Sequence, residues 1–326
     1  FPKLSHPDPS VDRRSGFLLP SYSDTKNLGS SVSIPYFFAI NQDKNFTLTN
    51  KLYASENPLF TGEYHQVFKD SYLMADFGYT EGYKRNDNKQ KSGKRSHFFS
   101  NFVKEFENIN GSKSSFSLAV QDTSNDKYLK LYRVKSNLVD YEKDNLESML
   151  NFTHENEDLF LGVNAAVYET LKDTYNDKYE YILPELTIDK NLFSNNELGN
   201  LDLQTNFKVH NYDTNKLTSF LINDFNWDFK DFNFKSGLKG KFLANVRNIN
   251  YEAKNIDIYK KDTTNELYGA FGYLTHLNLE KTSGNSKKKL KPKALFRYSP
   301  NNNMRKEDTG STLSPINAFN INRLDS

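Results

Sequence analysis

The 326-residue sequence contains no cysteine and a single tryptophan. Without cysteine the chain has no disulfide framework, no thiolate nucleophile and no cysteine zinc site. No apolar run approaches the roughly 18 residues that a transmembrane helix needs, which excludes a helical membrane protein. The net charge of +2 also lacks the concentrated positive charge that is typical of nucleic-acid-binding proteins.

Motifs of known catalytic chemistry are missing as well. The six histidines are scattered, with no HExxH motif and no i,i+4 pair, so they indicate no metal site. No nucleophile elbow, Walker loop or dinucleotide-binding glycine motif occurs, and the two glycines of "GAFGY" (269–273) lie within a strand-like segment. We therefore expect neither an enzyme nor a bound cofactor. An outer-membrane hydrolase that uses some pair of the many carboxylates stays open as an alternative.

What the sequence does contain is a wealth of aromatic residues in alternating patterns. There are 20 tyrosines and 26 phenylalanines in a largely polar chain. Apolar and polar residues alternate with a period of two from end to end, as in "LMADFGY" (73–79). This period is typical of β-strands with one apolar face. The sequence therefore predicts an all-β, antiparallel protein.

The connections between these segments differ in length in a regular way. Short links such as "NQDK" (41–44) and "KDS" (69–71) alternate with long polar ones, among them 84–95 and 122–145. Outer-membrane β-barrels show this alternation, with short periplasmic turns and long external loops. We predict an open, curved sheet of roughly 15 strands of about 8–13 residues, which forms part of a transmembrane barrel. No linker supports a second domain beyond the first twenty residues.

The alternation in 73–79 also predicts which side chains share a face. A charged residue that faces hydrocarbon costs about 2–4 kcal/mol near the bilayer midplane, somewhat less for aspartate, so the apolar row should face lipid. We expect Asp76 and Gly78 on the inner face, and Tyr83 and Phe98 in an aromatic girdle at the membrane interface. The row that we expect to face outward consists of Leu73, Ala75, Phe77 and Tyr79.

Two basic segments are candidates for phosphate binding. If the strand at 17–22 runs outward, the run "KKKLKPK" (287–293) falls in a periplasmic turn, where we interpret it as a solvated turn. Counting strands from the same starting point places "KRNDNKQKSGKR" (84–95) in an external loop. Its basic residues are therefore the better candidates for contacts with phosphate groups at the cell surface. These residues are Lys84, Arg85, Lys94 and Arg95.

Two neighbouring strand-like segments each contain a proline. "SVSIPYFFAI" (31–40) contains Pro35, and "GFLLPSY" (16–22) contains Pro20. Proline has no N–H to donate to a sheet ladder, so both strands should be weakened. The alternative is that the prolines mark bulges or strand ends near the rim.

The same two segments resemble a known family. "RRSGFLLP", "PYFFAI" with the polar turn that follows it, and "TLT" are similar to the LptD family of LPS-assembly proteins, also called organic solvent tolerance proteins. Weaker likeness continues through "GEYHQVF", "SHFFSNF" and "LPEL" to "KPKALFRYSP". The chain has no initiator methionine or signal peptide and stops inside the patterned "NAFNINRLDS", so we expect a piece of a longer protein.

The resemblance implies an architecture and a function. Such proteins have a periplasmic jellyroll followed by a barrel of about 26 strands, plugged by the lipoprotein LptE. Residues 1–16 would then be the junction from the jellyroll, and 17–326 the first part of the barrel, somewhat over half of its strands. The implied function is transport of lipopolysaccharide (LPS) from a periplasmic bridge protein into the outer leaflet of a Gram-negative outer membrane. Pro20 and Pro35 match the strands that form the family's lateral gate.

Two alternatives to this function stay open. The first is another outer-membrane barrel, a porin or an uptake receptor. Its strands would also alternate apolar and polar residues, but it would not need the paired prolines. The second is a secreted β-protein that binds carbohydrate.

Overall fold

The structure is a computed structural model that describes residues 13–87, 90–107, 111–172, 177–213, 215–260, 262–284, 286–300 and 318–321. In these ranges the chain is all-β, with nineteen strands and one five-residue helix. The elements are β1 (Gly16–Phe17), β2 (Ser21–Thr25), β3 (Gly29–Ala39), β4 (Lys44–Tyr53), β5 (Leu59–Val67), β6 (Ser71–Asp87), β7 (Gln90–Glu107), β8 (Lys113–Thr123), α1 (Tyr128–Tyr132), β9 (Asn145–Glu155), β10 (Leu159–Thr170), β11 (Tyr179–Asn195), β12 (Gly199–Tyr212), β13 (Lys216–Asp228), β14 (Phe232–Asn233), β15 (Leu238–Lys254), β16 (Thr264–Leu277), β17 (Leu279–Ser283), β18 (Ser286–Leu290) and β19 (Lys293–Tyr298).

The strand pairings confirm the predicted all-β, antiparallel class. Strands consecutive in the chain pair with each other in antiparallel fashion through β2 to β7 and again from β11 to β13. Within the described part of the chain, no helix has the length and apolar character that crossing a membrane requires. The division predicted from the sequence, a junction over 1–16 and one barrel portion over 17–326, stays a prediction.

Two sequence predictions about strand and loop lengths are wrong. The segment 84–95 is not a long loop, because β6 continues to Asp87 and β7 begins at Gln90. Strand pairing uses backbone groups, so a polar hairpin in water can extend a ladder without an apolar face. For the same reason β6 and β7 reach 17 and 18 residues, beyond the predicted 8–13.

The chain divides into two compact units, and the first, called unit one, contains residues 1–106, 115–151 and 166–179. Side chains in its strands alternate between two faces. One face, the apolar face, carries exposed large residues. These include Val32, Phe38, Leu52, Phe60, Phe77, Tyr79 and Phe98. The opposite face, the polar face, carries mostly small and polar residues such as Ser33, Thr49 and Asp76.

The facing predicted for β6 is confirmed as an alternation. Phe77 and Tyr79 are 44% and 39% exposed, whereas Asp76 on the polar face is 3% exposed. Phe98 pairs with Phe77 across β6 and β7 and is also exposed on the apolar face. The prediction for Tyr83 is wrong, because a register shift after Thr80 precedes it and its side chain is buried.

Phe77 provides a test of what covers the apolar face. Its ring lies over Gly62, where a Cβ atom would be 2.4 Å from the ring, and it stacks with Phe46. We expect Phe77→Arg to reduce assembly of the full-length protein into the outer membrane, because arginine facing hydrocarbon costs about 2–4 kcal/mol. Phe77→Leu should assemble normally. The measurement is the folded, heat-modifiable band in outer-membrane fractions, and equal bands for the two variants would contradict a lipid-facing position.

The core of unit one lies on the polar face, under the connection between β8 and β9. Residues 124–144, here called the cover segment, contain α1 and pack against the sheet. The helix forms where the apolar residues of "YLKLY" interrupt the polar connection, and it ends at Arg133, whose backbone is left-handed. The buried cluster that the segment forms with the sheet includes Leu28, Tyr53, Leu59, Tyr83, Phe99, Tyr128, Leu129, Tyr132, Val134, Val139, Leu146 and Leu171. The predicted long connection at 122–145 is therefore present, but it is folded rather than open.

The second unit contains residues 107–114, 152–165 and 180–326. Strands β11, β12, β13, β15, β16 and β19 pair in that order, and β14 adds two residues beside β15. One face carries a buried ion pair, in which Arg247 Nε and Nη2 donate to the two oxygens of Asp224 at 2.6 and 2.8 Å. The other face carries a row of contacting aromatic rings. This row consists of Trp227, Phe229, Phe232, Phe242 and Tyr273.

The basic run 287–293 lies in an exposed hairpin of the second unit. Strands β17 and β18 pair with each other, and every residue in them is exposed. Residues 287–290 therefore form strand rather than the predicted turn, since each residue of "SKKKL" pairs with one residue of "LEKTS". Lys287 and Lys289 both form ion pairs with Glu280, and their exposure agrees with a solvated role.

Candidate functional site

The candidate site lies in unit one, where β1 and β2 pair with β3. Phe17 is opposite Tyr36, and Ser21 is opposite Ser33. Three residues, 18–20, therefore face only two residues of β3, which is the arrangement of a β-bulge. Pro20 lies in this bulge, so the alternative that the sequence left open for it describes its position.

Pro35 lies inside β3, opposite Thr49 of β4. The backbone N–H of Leu18 donates to the carbonyl oxygen of Pro35 at 2.9 Å. The N–H and C=O groups of one strand residue point toward the same neighbouring strand. The return bond from residue 35 to Leu18 would therefore complete this pair, but proline has no N–H to donate. The missing donor faces β1 and β2 and leaves the pairing with β4 intact.

The two edges of β3 consequently differ in strength. Toward β4 the register is continuous from Ser31 to Ala39. Toward β1 and β2 it is interrupted by the bulge and lacks the donor of Pro35. A net hydrogen bond stabilises by about 0.5–1.5 kcal/mol in water, and an unpaired carbonyl costs more in an apolar medium. We call this weakened edge the seam.

A cavity of about 460 Å³ adjoins the seam on the polar face. It lies between β2 to β5 and the cover segment, and Pro35 is part of its wall. Hydroxyl groups dominate the strand side of this wall, since cross-strand pairing stacks small polar residues there. These residues are Ser21, Ser23, Ser33, Thr49 and Thr61.

A buried polar network holds the cover segment to the sheet. His97 Nε2 lies 3.1 Å from Asp76 Oδ1, and His97 Nδ1 lies 3.1 Å from the hydroxyl of Tyr128 in α1. A Cβ atom at Gly78 would lie 2.5 Å from the imidazole, so glycine leaves room for the ring. Burial raises the pKa of Tyr128, so its hydroxyl keeps its proton at neutral pH. The network is sealed from solvent and therefore positions the segment rather than meeting a ligand.

The four basic residues predicted to contact external phosphates lie on the β6–β7 hairpin. Lys84, Arg85 and Lys94 are exposed. Arg95 is half-buried: its guanidinium lies 5.5 Å from the centre of the Tyr83 ring, and Nη1 donates to Asn125 at 3.4 Å. Arg95 therefore contacts the cover segment, and phosphate contacts for all four residues stay a prediction.

Sequence reasoning missed the groups that the cover segment brings to the cavity and the network. The sequence shows His97 only as one of six scattered histidines and predicts only the face of Asp76. The signal that could have found the segment is "YLKLY", an apolar stretch inside a polar connection. Its packing partners lie far away in sequence, so the pattern alone does not identify them.

Comparisons with known proteins show partial similarity to proteins named "LPS-assembly protein LptD". The chain is 35% identical to the one from Psychrobacter arcticus over 75 residues, 21% of this chain and 8% of that protein. It is 25% identical to the Idiomarina loihiensis protein over 179 residues, 55% of this chain and 22% of the relative. Identity to the Methylococcus capsulatus protein is 40% over 57 residues, 17% of this chain and 6% of the relative. These matches indicate an LptD-like relationship.

Two further comparisons add little. No protein-family model matches the chain. A solved structure described as "Bacterial polysaccharide outer membrane secretin" covers 83% of this chain and 91% of its own, with 9% identity and a TM-score of 0.27. The chain spans less than a quarter of the length of each curated relative described above.

Proposed function

We propose that this chain is part of an outer-membrane protein that moves LPS into the outer leaflet through a laterally opening β-barrel. The observation that carries the proposal is the asymmetry of β3, whose missing donor faces β1 and β2. The names of the LptD relatives support LPS as the substrate. On this proposal LptE and a periplasmic bridge protein are the partners, and the exposed apolar face of unit one contacts lipid.

The physical reason for a seam is the chemistry of the substrate. LPS has sugars, which prefer a polar lumen, and acyl chains, which prefer lipid. A closed barrel separates the two environments with a continuous wall of hydrogen bonds. A weak seam lets the acyl chains stay in lipid while the head group crosses on the polar face. This transfer breaks no covalent bond, so the function needs no catalytic group.

A porin or an uptake receptor remains the second candidate, because an exposed apolar face suits any membrane barrel. Such a protein needs an open lumen and no weak seam. The two functions therefore differ in whether β1 and β2 must separate from β3.

A reversible disulfide across the seam tests the proposal. Ser21→Cys and Ser33→Cys place two thiols at directly paired positions, where Cα separations of about 4.5–5.5 Å suit a disulfide. In the full-length protein we expect the oxidised pair to stop newly made LPS from reaching the surface, and a reductant to restore it. Surface arrival is measured as access of LPS to an outer-leaflet lipid A-modifying enzyme.

The control places the same bridge one strand pair away. Asn45→Cys and His65→Cys join β4 to β5 at directly paired positions outside the cavity, where the register is continuous, and this bridge should leave export unchanged. Normal export with a fully formed Ser21–Ser33 bridge would rule out opening of the seam.

A further inference from the structure

The cavity beside the seam contains three cationic side chains and no carboxylate. Lys51 enters from β4, whereas Arg133 and Lys135 enter from the cover segment. Within the described ranges, none of the three forms an ion pair with an acidic residue. Like charges repel one another, so this grouping is unfavourable unless an anion lies among them.

Lys51 is held in place by a backbone contact and a ring contact, and Arg133 has an unusual backbone conformation. Lys51 Nζ donates to the carbonyl oxygen of Tyr132 at 3.1 Å and lies 5.4 Å from the centre of the Tyr53 ring. Arg133 follows α1 directly and has φ 49° and ψ 56°. Glycine is the usual residue in this left-handed conformation, and other residues pay a steric cost there. An arginine that keeps this backbone conformation and lines the cavity is consistent with a role for its side chain there.

The remaining wall suits a sugar. Ser21, Ser33, Thr49 and Thr61 present hydroxyl groups that donate and accept hydrogen bonds. A guanidinium binds phosphate through two parallel N–H groups, and an ammonium adds a compact positive charge. The volume of about 460 Å³ lies within the range of about 300–1,000 Å³ that is usual for ligand sites.

We propose that this cavity binds a phosphate group of a phosphorylated saccharide, with Lys51, Arg133 and Lys135 on the phosphate and the strand hydroxyls on the sugar. The source of the ligand rests on the proposed function: it is the phosphorylated head group of LPS, held on the polar face beside the seam. The site would keep the head group at the exit while the acyl chains enter lipid.

The test uses the full-length protein in lipid nanodiscs and three probes. These are fluorescent LPS, the same LPS after phosphatase treatment, and glucosamine 6-phosphate as a free phosphosugar. The variant Arg133→Gly/Lys135→Ser removes two charges, and glycine suits the backbone at φ 49°, so the fold should be preserved. Lys143→Ser removes one exposed charge of the cover segment outside the cavity and is the control.

We expect the double variant to bind intact LPS and glucosamine 6-phosphate about tenfold more weakly, or worse, because the phosphate loses two of its three cationic partners. Phosphatase-treated LPS should bind to the unmodified protein as weakly as intact LPS binds to the variant. Lys143→Ser should bind like the unmodified protein.

The outcomes separate this site from the proposed function. If the variant binds as tightly as the unmodified protein, or if phosphate removal changes nothing, the phosphate site is wrong while LPS transport stands. If only glucosamine 6-phosphate binds, and binding depends on Arg133, the site stands and the proposed function is wrong. If neither probe binds to the unmodified protein, both are wrong.

Discussion

Replacing Pro20 and Pro35 by threonine in the full-length protein is expected to lower the arrival of LPS at the cell surface by about tenfold or more. Threonine at position 35 supplies the N–H that faces Leu18 and completes the hydrogen-bonded pair. The restored donor at position 35 stabilises the seam by about 0.5–1.5 kcal/mol in water, and by more in an apolar medium. Each 1.4 kcal/mol lowers the open population about tenfold.

The structure further predicts that the two prolines contribute unequally. At Pro35 one hydrogen bond of the pair with Leu18 is already formed, and only the donor of residue 35 is missing. Pro20 lies in the bulge, where the strand pairing is interrupted whichever residue stands there. Pro35→Thr alone should therefore reproduce most of the loss, and Pro20→Thr should have the smaller effect. Pro58→Thr, outside the strands and away from the seam, is the matched control. Unchanged export by an assembled Pro20/Pro35 variant would leave the prolines with no part in transport.

His97→Ala is expected to release the cover segment and to destabilise unit one by about 3–5 kcal/mol. The substitution removes the partner of Asp76 Oδ1. Within the described residues the buried Oδ2 has no hydrogen-bond partner either, so both carboxylate oxygens would be left buried and unpaired. Breaking a buried pair costs this much because the remaining charge is uncompensated. It also removes the contact with Tyr128, which ties α1 to the sheet.

The release is measured as protease cleavage within 124–144 in the full-length protein, together with the sensitivity of cells to a large antibiotic that the intact outer membrane excludes. The double variant Asp76→Ala/His97→Ala should recover part of the lost stability, because it removes the uncompensated charge. Phe98→Ala changes the neighbouring, exposed residue on the apolar face and should leave the segment protected. Equal cleavage of His97→Ala and the unmodified protein would contradict a holding role for the network.

The sequence predicts those parts of the fold that depend on local periodicity. Phe77 and Asp76 lie on opposite faces because successive strand residues point in opposite directions, and no distant contact is needed to see this. The prediction of an exposed, interfacial Tyr83 is wrong because the alternating pattern does not indicate the register shift between Thr80 and Gly82. Gly82 has φ 78°, a left-handed conformation that the letter G permits but does not require.

The candidate site depends on relations that the sequence does not display. The sequence identifies the two prolines. It does not show which neighbour of β3 loses a hydrogen-bond donor, because this depends on which neighbouring strand the backbone groups of residue 35 face. Lys51 and Arg133 are 82 positions apart, and only the fold of the cover segment brings them to one cavity. Apolar residues within a polar connection indicate that it packs somewhere, whereas the surface that receives it is a tertiary property.

The bulge at 18–20 also has a consequence for how the chain tolerates changes in its length. Three residues oppose two, so the break between β1 and β2 is encoded as one surplus residue. Losing a single codon there would leave two residues opposite two. Phe17 and Ser21 would keep their partners and their faces, and β1 and β2 would merge into one unbroken strand. A three-nucleotide deletion can thus erase the interruption without misplacing any side chain, whereas most substitutions in 18–20 leave the count, and with it the break, unchanged.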